Sequence, residues 1–262
     1  LMNSEEIVFS RNSEEILNIF TILIWAKLAL KDSNWNPSVT HLETVEKLAP
    51  VLRNLRHSDA GLPRFHGSCG EVGGQLDQAL SNAENREASL HETSVGFAKL
   101  SNSRTTVIID AAPPPTGKKA VKADASTLAF EMASGQRRIF TSCGPGYLFG
   151  SDLSSDGRQT NSHCAVYIDN QSSSEFLDIK GWLQTPKKVI INGPRKVPKE
   201  ISNDEGIGIF EGAHDGYVKS HGLTHVRKLK LSQDGQSLEG EDLMIAIEDS
   251  NKRQFEKISK KK

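Results

Sequence analysis

Apolar positions recur along the chain with two periods, and the change between them falls near residue 60. Upstream, Ile16, Ile19, Phe20, Leu23 and Ile24 are spaced three and four apart, as on one face of a helix. Asn12 or Ser13 can cap that helix, and Glu14 and Glu15 in its first turn suit the positive end of the helix dipole. Asn36-Pro37 marks a second start, with proline at the first helical position. Val39, Leu42, Val45, Leu48, Leu52 and Leu55 form its apolar stripe. Pro50 lies inside the stripe and lacks a backbone donor, which predicts a kink or a shorter helix. The two helices in series predict an antiparallel hairpin over 1–60, too small in area to stand alone.

From Gly61 the signals are those of strands. Short apolar runs at 94–100, 105–110, 127–132, 138–142, 164–169 and 189–192 are separated by turn residues. Ala133-Ser134-Gly135-Gln136 reads as a hairpin turn, and Asp234-Gly235 divides 226–231 from a second run through Leu238 to Ile247. Strands so closely spaced, with few helical stretches between them, predict an antiparallel sandwich over 61–250 rather than a parallel βαβ sheet. The fold class expected is α+β, mainly β: a short N-terminal helical hairpin followed by a large antiparallel β-sandwich. Six basic residues against one Glu in 251–262 predict a solvated, disordered end.

Composition narrows the function classes. The 262 residues carry 32 Lys and Arg against 33 Asp and Glu, a formal net charge of -1, which argues against a general nucleic-acid binder. Cys69, Cys143 and Cys164 are too few and too scattered for a disulfide framework or structural zinc. With 6% aromatic residues, broad stacking platforms are not expected. The most apolar stretch, 16–30, is interrupted by Asn18, Thr21 and Lys27 and is too short to span a bilayer. No signal peptide is visible at the start of the chain, so localisation is left open.

Candidate chemistry centres on histidines. His214, His221 and His225 fall within twelve residues, and on one strand His221 and His225 share a face. His214, Asp215 and His163 can supply metal donors, yet they match no known zinc spacing, and hydrogen-bonded or surface histidines are the commoner outcome. His163, at the entry to the apolar run 164–169, is placed where an imidazole can face a cleft and titrate near neutrality. Cys164 next to it points to the opposite face of an extended chain, which argues against a Cys–His pair. No Gly-x-Ser-x-Gly is present.

Several runs resemble the heparinase II/III-like polysaccharide lyases. They are Arg104-Thr105-Thr106-Val107-Ile108-Ile109-Asp110-Ala111-Ala112-Pro113, Ser126-Thr127-Leu128-Ala129-Phe130-Glu131, Asn161-Ser162-His163, His214-Asp215-Gly216-Tyr217 through His225, and Leu238-Glu239-Gly240-Glu241-Asp242. Ser10-Arg11-Asn12 and Arg56-His57-Ser58-Asp59 are similar to the end of that family's helical domain. The likeness runs from about residue 8 to about residue 245. It implies the last hairpin of an α/α toroid followed by a β-sandwich, and β-elimination at a uronic acid of an acidic polysaccharide. By motif, His163 is the sandwich's catalytic histidine, and His214 and Tyr217 are substrate-binding candidates. No cofactor is required, although some members hold a divalent metal, zinc or calcium, for which His214 and Asp215 are the nearest matches. The family also implies a periplasmic or cell-envelope setting. Asp124 stands where the family usually carries histidine, and the toroid that supplies the catalytic tyrosine is not in this sequence. Without nucleic-acid or membrane partners, the remaining expectation is self-association through unpaired strand edges. The alternative function is a carbohydrate-binding or structural sandwich without catalysis.

Overall fold

The computed structural model describes residues 10–70, 73–83, 92–117, 121–146, 150, 156–179 and 187–260. Helix α1 (Ser13–Asp32) is capped by Asn12, whose side chain accepts the Glu15 N–H. Helix α2 (Val39–Leu55) is capped by Ser38, so Pro37 precedes the cap instead of opening the helix. The helix runs through Pro50 to Leu55, because Val45, Leu48, Ala49, Leu52 and Leu55 are buried against α1 and outweigh one lost backbone bond. A third helix, α3 (Gln75–Ser81), adds Leu76, Ala79 and Leu80 to the same core. The helical layer thus extends beyond the change of period at residue 60, as far as Ala83.

The β part holds two packed antiparallel sheets and a ribbon. Strands β1 (Glu92–Ser94), β2 (Phe97–Asn102), β3 (Thr105–Asp110), β4 (Phe130–Ser134) and β5 (Arg137–Phe140) form the first sheet in sequential order. The ribbon pairs β6 (Glu175–Ile179) with β7 (Lys187–Asn192). Strands β8 (Lys199–Asp204), β9 (Ile207–Tyr217), β10 (Leu223–Leu231) and β11 (Leu238–Ile245) form the second sheet, with β8 and β11 at its edges. The architecture is α+β and mainly β, with a helical hairpin ahead of an antiparallel sandwich.

Alternation along the first sheet decides what faces what. Ala98, Leu100, Val107, Ile109 and Met132 pack against Phe210, Leu229 and Leu231 of the second sheet. Phe97, Ile108 and the adjoining Ala129 pack against the helices. The same helix-facing parity carries Lys99, Thr106, Asp110 and Glu131, all buried. A wholly apolar sheet would need none of these, so the polar side chains mark the layer boundary where chemistry can sit.

Several local expectations change. The run 164–169 forms no strand: Asp169 and Asn170 adopt positive φ in a turn closed by a single bridge between Ile168 and Gln171. Strands β8 and β9, not expected from the sequence, are joined through Glu205 and Gly206, both at positive φ, as a tight antiparallel turn requires. His221 and His225 do not share a strand, because α4 (Val218–His221) and a left-handed Gly222 separate them. The basic end is helical, not disordered, over α5 (Asp249–Ser259). It docks where Gly222 leaves room for the Asn251 carbonyl, and Gln254 Nε2 donates to the Lys219 carbonyl at 2.9 Å. Among the described residues, no helix is long and apolar enough to cross a membrane.

Candidate functional site

Two buried ionic networks stitch the helical layer to the first sheet. In one, Arg11 stacks on Phe97 at 4.5 Å, donates to the carbonyls of Gly96 and Pro113, and pairs with Asp110 at the end of β3. Ser126 Oγ donates to the other Asp110 oxygen at 2.6 Å, and His66 Nε2 lies 3.3 Å from it. Burial pushes the Asp110 carboxyl up, but the Arg11 charge and His66 overcome that and hold it well below the usual range. His66 Nδ1 accepts the Asp124 N–H while the His66 N–H donates to Asp124 Oδ2, so the neutral ring carries its proton on Nε2, toward Asp110. Asp124 is buried near Arg158, and burial pushes its carboxyl up to about 7.

In the second network Glu131 on β4 accepts the N–H groups of Arg64 and Ser142 and the Arg138 guanidinium. His57 Nε2 lies 3.6 Å from Glu131, and its Nδ1 is hydrogen-bonded to Thr106 Oγ1 at 3.1 Å. Arg138 continues to Asp59 at 2.8 Å and to the Leu62 carbonyl. Burial lowers the pKa of both His57 and His66, so each is neutral beside an ionised carboxylate. Arg11, His66 and Leu128 adopt positive φ here, which costs on the order of 1 kcal/mol each and concentrates backbone strain at this boundary.

His163 lies against Phe65, with ring centroids 6.1 Å apart, and is 7% exposed. Neither ring nitrogen has a hydrogen-bond partner among the described residues. Burial first, then the neighbouring His66, pushes its pKa down to about 4, while Glu131 and Asp110 act in the opposite direction. It is therefore a neutral imidazole with unused hydrogen-bonding capacity, inside a shell that contains two carboxylates.

The segment that carries His163 is held from the second sheet. Arg227 Nη1 donates to the Cys164 carbonyl at 2.6 Å and to the Leu128 carbonyl at 2.6 Å. Tyr217 Oη donates to the Val166 carbonyl at 2.5 Å, and His221 Nε2 is 3.3 Å from Asp169. Arg227 in turn grips both oxygens of Asp242 at 2.8 Å. Register places His214 opposite His225 and Arg227 opposite Asp242, so the three strands align a chain of hydrogen bonds. The Gly216 N–H donates to His214 Nδ1, His214 Nε2–H then donates to His225 Nδ1, and His225 Nε2–H donates to Asp242. Burial first, then the neighbouring His225 and Arg227, pushes His214 down to about 3, and burial pushes the Tyr217 phenol up.

The comparisons with known proteins agree with this architecture. Residues 86–256 match the family described as heparinase II/III-like, C-terminal. The chain belongs to the heparinase II/III-like family. It is 28% identical over 207 residues to FtsZ-localized protein C of Caulobacter vibrioides, covering 78% of this chain and 35% of that protein. A mutant heparan sulfate lyase, HepC, from Pedobacter heparinus superposes with a TM-score of 0.64 at 16% identity, covering 90% of this chain and 38% of its own. A heparinase III superposes with a TM-score of 0.61 at 13% identity, covering 90% and 40%. These likenesses establish the fold, and this heparinase II/III-like chain spans well under half the length of each.

Against that background the candidate residues separate. His163 is at the layer boundary, whereas His214 and Tyr217 are 2% and 0% exposed and committed to bonds that support its segment. Both His214 nitrogens are engaged, and Asp215, on the other face of β9, accepts the N–H groups of Arg195 and Lys196. His214, Asp215 and His163 therefore do not converge, and no three His, Cys, Asp or Glu side chains are grouped to hold a metal among the described residues. The divalent ion implied by the family resemblance does not fit the donors named for it. Cys69, Cys143 and Cys164 form no disulfide among the described residues. Sequence reasoning missed His57, His66, Asp110 and Glu131. For Asp110 and Glu131 the signal is a charge inside an apolar strand on the helix-facing parity, but their partners lie far away in sequence, and His57 and His66 sit in loops that carry no periodic signal.

Proposed function

We propose that this heparinase II/III-like chain is the sandwich portion of a polysaccharide lyase that cleaves uronic-acid-containing chains by β-elimination. His163 is the imidazole it contributes to the cleft. The observation that carries this reading is the buried His163 ring with both nitrogens unpartnered among the described residues. Leaving such polar atoms unmatched costs about 1–3 kcal/mol per group, a cost that stable cores avoid and reactive sites tolerate. Elimination needs a base for the C5 proton, a donor for the leaving oxygen and neutralisation of the carboxylate. His163 supplies one proton-transfer group. The Tyr217 phenol is not a second one, because its hydroxyl is bonded to the Val166 carbonyl.

The reading therefore assigns binding without turnover to the 262-residue chain and turnover to a protein that also carries the helical toroid. Incubation with alginate, heparin, heparan sulfate and hyaluronan, followed by absorbance of the unsaturated uronate product, tests it. In a toroid-bearing protein His163→Ala is expected to lower turnover by at least ~100-fold, the typical contribution of a general acid–base group. Turnover that survives this substitution removes His163 from the mechanism.

A second reading is favoured by the commitment of His214 and Tyr217 to structure and by a relative named for localisation with FtsZ. In it the sandwich holds a carbohydrate or positions the protein without catalysis. Polysaccharide binding by a toroid-bearing protein, with no unsaturated product from any of the four substrates, selects this reading.

A further inference from the structure

A pocket of about 360 Å³ opens where α4 meets the end of β9 and the start of the β6–β7 ribbon. Its charged lining is balanced, with Glu175 and Asp215 against Arg195 and Lys219, and the rest is mostly hydroxyl and amide groups. Lys219 pairs with Glu175 at 2.9 Å, and Asp215 accepts the N–H groups of Arg195 and Lys196. A balanced polar lining of this kind suits a neutral, hydroxyl-rich ligand better than an ion.

Ser220 stands exposed at this pocket, and its hydroxyl is the first of three linked groups. Ser220 Oγ lies 2.8 Å from His221 Nδ1, and His221 Nε2 lies 3.3 Å from Asp169 Oδ2. His221 is 5% exposed, and its ring also meets Tyr217 edge to face, with centroids 6.2 Å apart. With Nε2–H donating to the carboxylate, Nδ1 keeps its lone pair and accepts the Ser220 hydroxyl proton. The hydroxyl's other acceptor is the Tyr217 carbonyl at 3.4 Å, the longer of the two contacts. Back-bonding to the helix thus explains the weaker contact and not the 2.8 Å one. A nucleophile bonded to a base that a third group orients is the arrangement that activates a hydroxyl for covalent catalysis. The ring nitrogens are used in the opposite sense to the usual serine triad, which leaves the three roles unchanged.

We propose that Ser220, His221 and Asp169 form a second active centre, an esterase that removes short acyl groups from a hydroxyl-rich ligand held in this pocket. Ser220 Oγ bonds to the ester carbonyl carbon as its proton passes to His221 Nδ1. Collapse breaks the bond to the alcohol oxygen, which takes that proton from His221. Water then attacks the acyl carbon and gives a proton to His221, and the acid leaves as Ser220 recovers its hydroxyl. Arg195 and Lys219 are the cations on the lining that can offset the oxyanion formed in each addition, and the Arg195 guanidinium has no partner among the described residues. Val218 is the one aliphatic side chain among the described residues of the lining, so a long acyl chain finds no counterpart there. The assignment does not rest on the lyase reading, since neither His163 nor a uronic acid takes part.

A fluorophosphonate probe, which phosphonylates activated serines with loss of fluoride, tests the proposal on the 262-residue chain, with the labelled peptide located by mass spectrometry. One adduct is expected, on Ser220. Ser220→Ala and Asp169→Asn are both exposed changes. The first is expected to abolish labelling and the second to slow it at least ~10-fold. Saturable release of acetate from methyl 6-O-acetylglucoside is expected, and Ser220→Ala is expected to abolish it. No adduct on Ser220, or labelling that Asp169→Asn leaves unchanged, overturns the triad. An adduct on Ser220 without acetate release from the acetylated sugar overturns the esterase assignment.

Discussion

A single imidazole concentrates the tension in this molecule. His163 sits in a packed boundary layer with nothing to bond to among the described residues, so its removal and its replacement have opposite consequences. His163→Leu keeps comparable bulk and deletes the unmatched nitrogens, so it is expected to stabilise the chain by about 1 kcal/mol, read as a higher urea midpoint. A lower midpoint shows that the ring makes a bond that stabilises the fold. Acid exposes the same buried groups. Burial holds His163 at about 4 and His214 at about 3, so both are neutral when folded and protonated when unfolded below about pH 6.5. The unfolded chain then binds more protons, and stability falls as pH drops from about 6.5 toward 4, by about 1.4 kcal/mol per pH unit for each group. Asp124 acts in reverse: its folded pKa is raised to about 7, so it takes up its proton earlier in the folded state and offsets part of the loss between about pH 7 and 4. Asp124→Asn removes that offset and is expected to steepen the acid loss measured by urea unfolding. An unchanged slope shows that Asp124 is ionised in the folded protein at neutral pH.

At the scale of elements, the second sheet works as a support for the turn that bears His163. Tyr217→Phe removes the bond to the Val166 carbonyl, and Arg227→Met removes those to Cys164 and Leu128. The tyrosine change is expected to cost about 1 kcal/mol, and the arginine change about 2 kcal/mol because it leaves two carbonyls unmatched while Asp242 keeps its bond to His225. Both are expected to speed amide exchange across residues 163–168. Unchanged exchange in that segment shows that it is held by other contacts. How much of this was legible depended on range. Strand β3 matches the apolar run 105–110 because its neighbours β2 and β4 follow locally and its alternation is uninterrupted. Run 164–169 looked equally strand-like, yet its polar backbone groups are satisfied by Arg227 and Tyr217 instead of a neighbouring strand. Strand β9 was hidden because Gly208, Gly212, His214 and Gly216 break the apolar signal on its inner face. His163 was reached through motif resemblance, whereas Arg11 and Asp110, 99 residues apart, carry no local sign that they pair.

At the scale of the whole molecule, the described residues leave a strand edge open. Strand β11 is the end of its sheet, with Leu243 at 45% and Ile245 at 41% exposure and no strand beyond it among the described residues. Such an edge offers unpaired backbone groups beside apolar side chains. Sedimentation velocity is expected to show concentration-dependent self-association that Leu243→Lys diminishes. A single monomeric boundary at all concentrations would falsify this.

The first sheet is a middle layer, clad by helices on one side and by strands on the other. Phe97, Ile108 and Ala129 need the hairpin as much as Ala98, Leu100 and Val107 need the second sheet, and Asp110 answers to an arginine that precedes the first helix. A sandwich built this way is not a cassette. Gene fusions or deletions that separate α1 and α2, with Arg11 ahead of them, from the strands would bare apolar surface and orphan a buried carboxylate at one stroke. Inheritance of this fold is thereby tied to keeping the helical hairpin that precedes its strands.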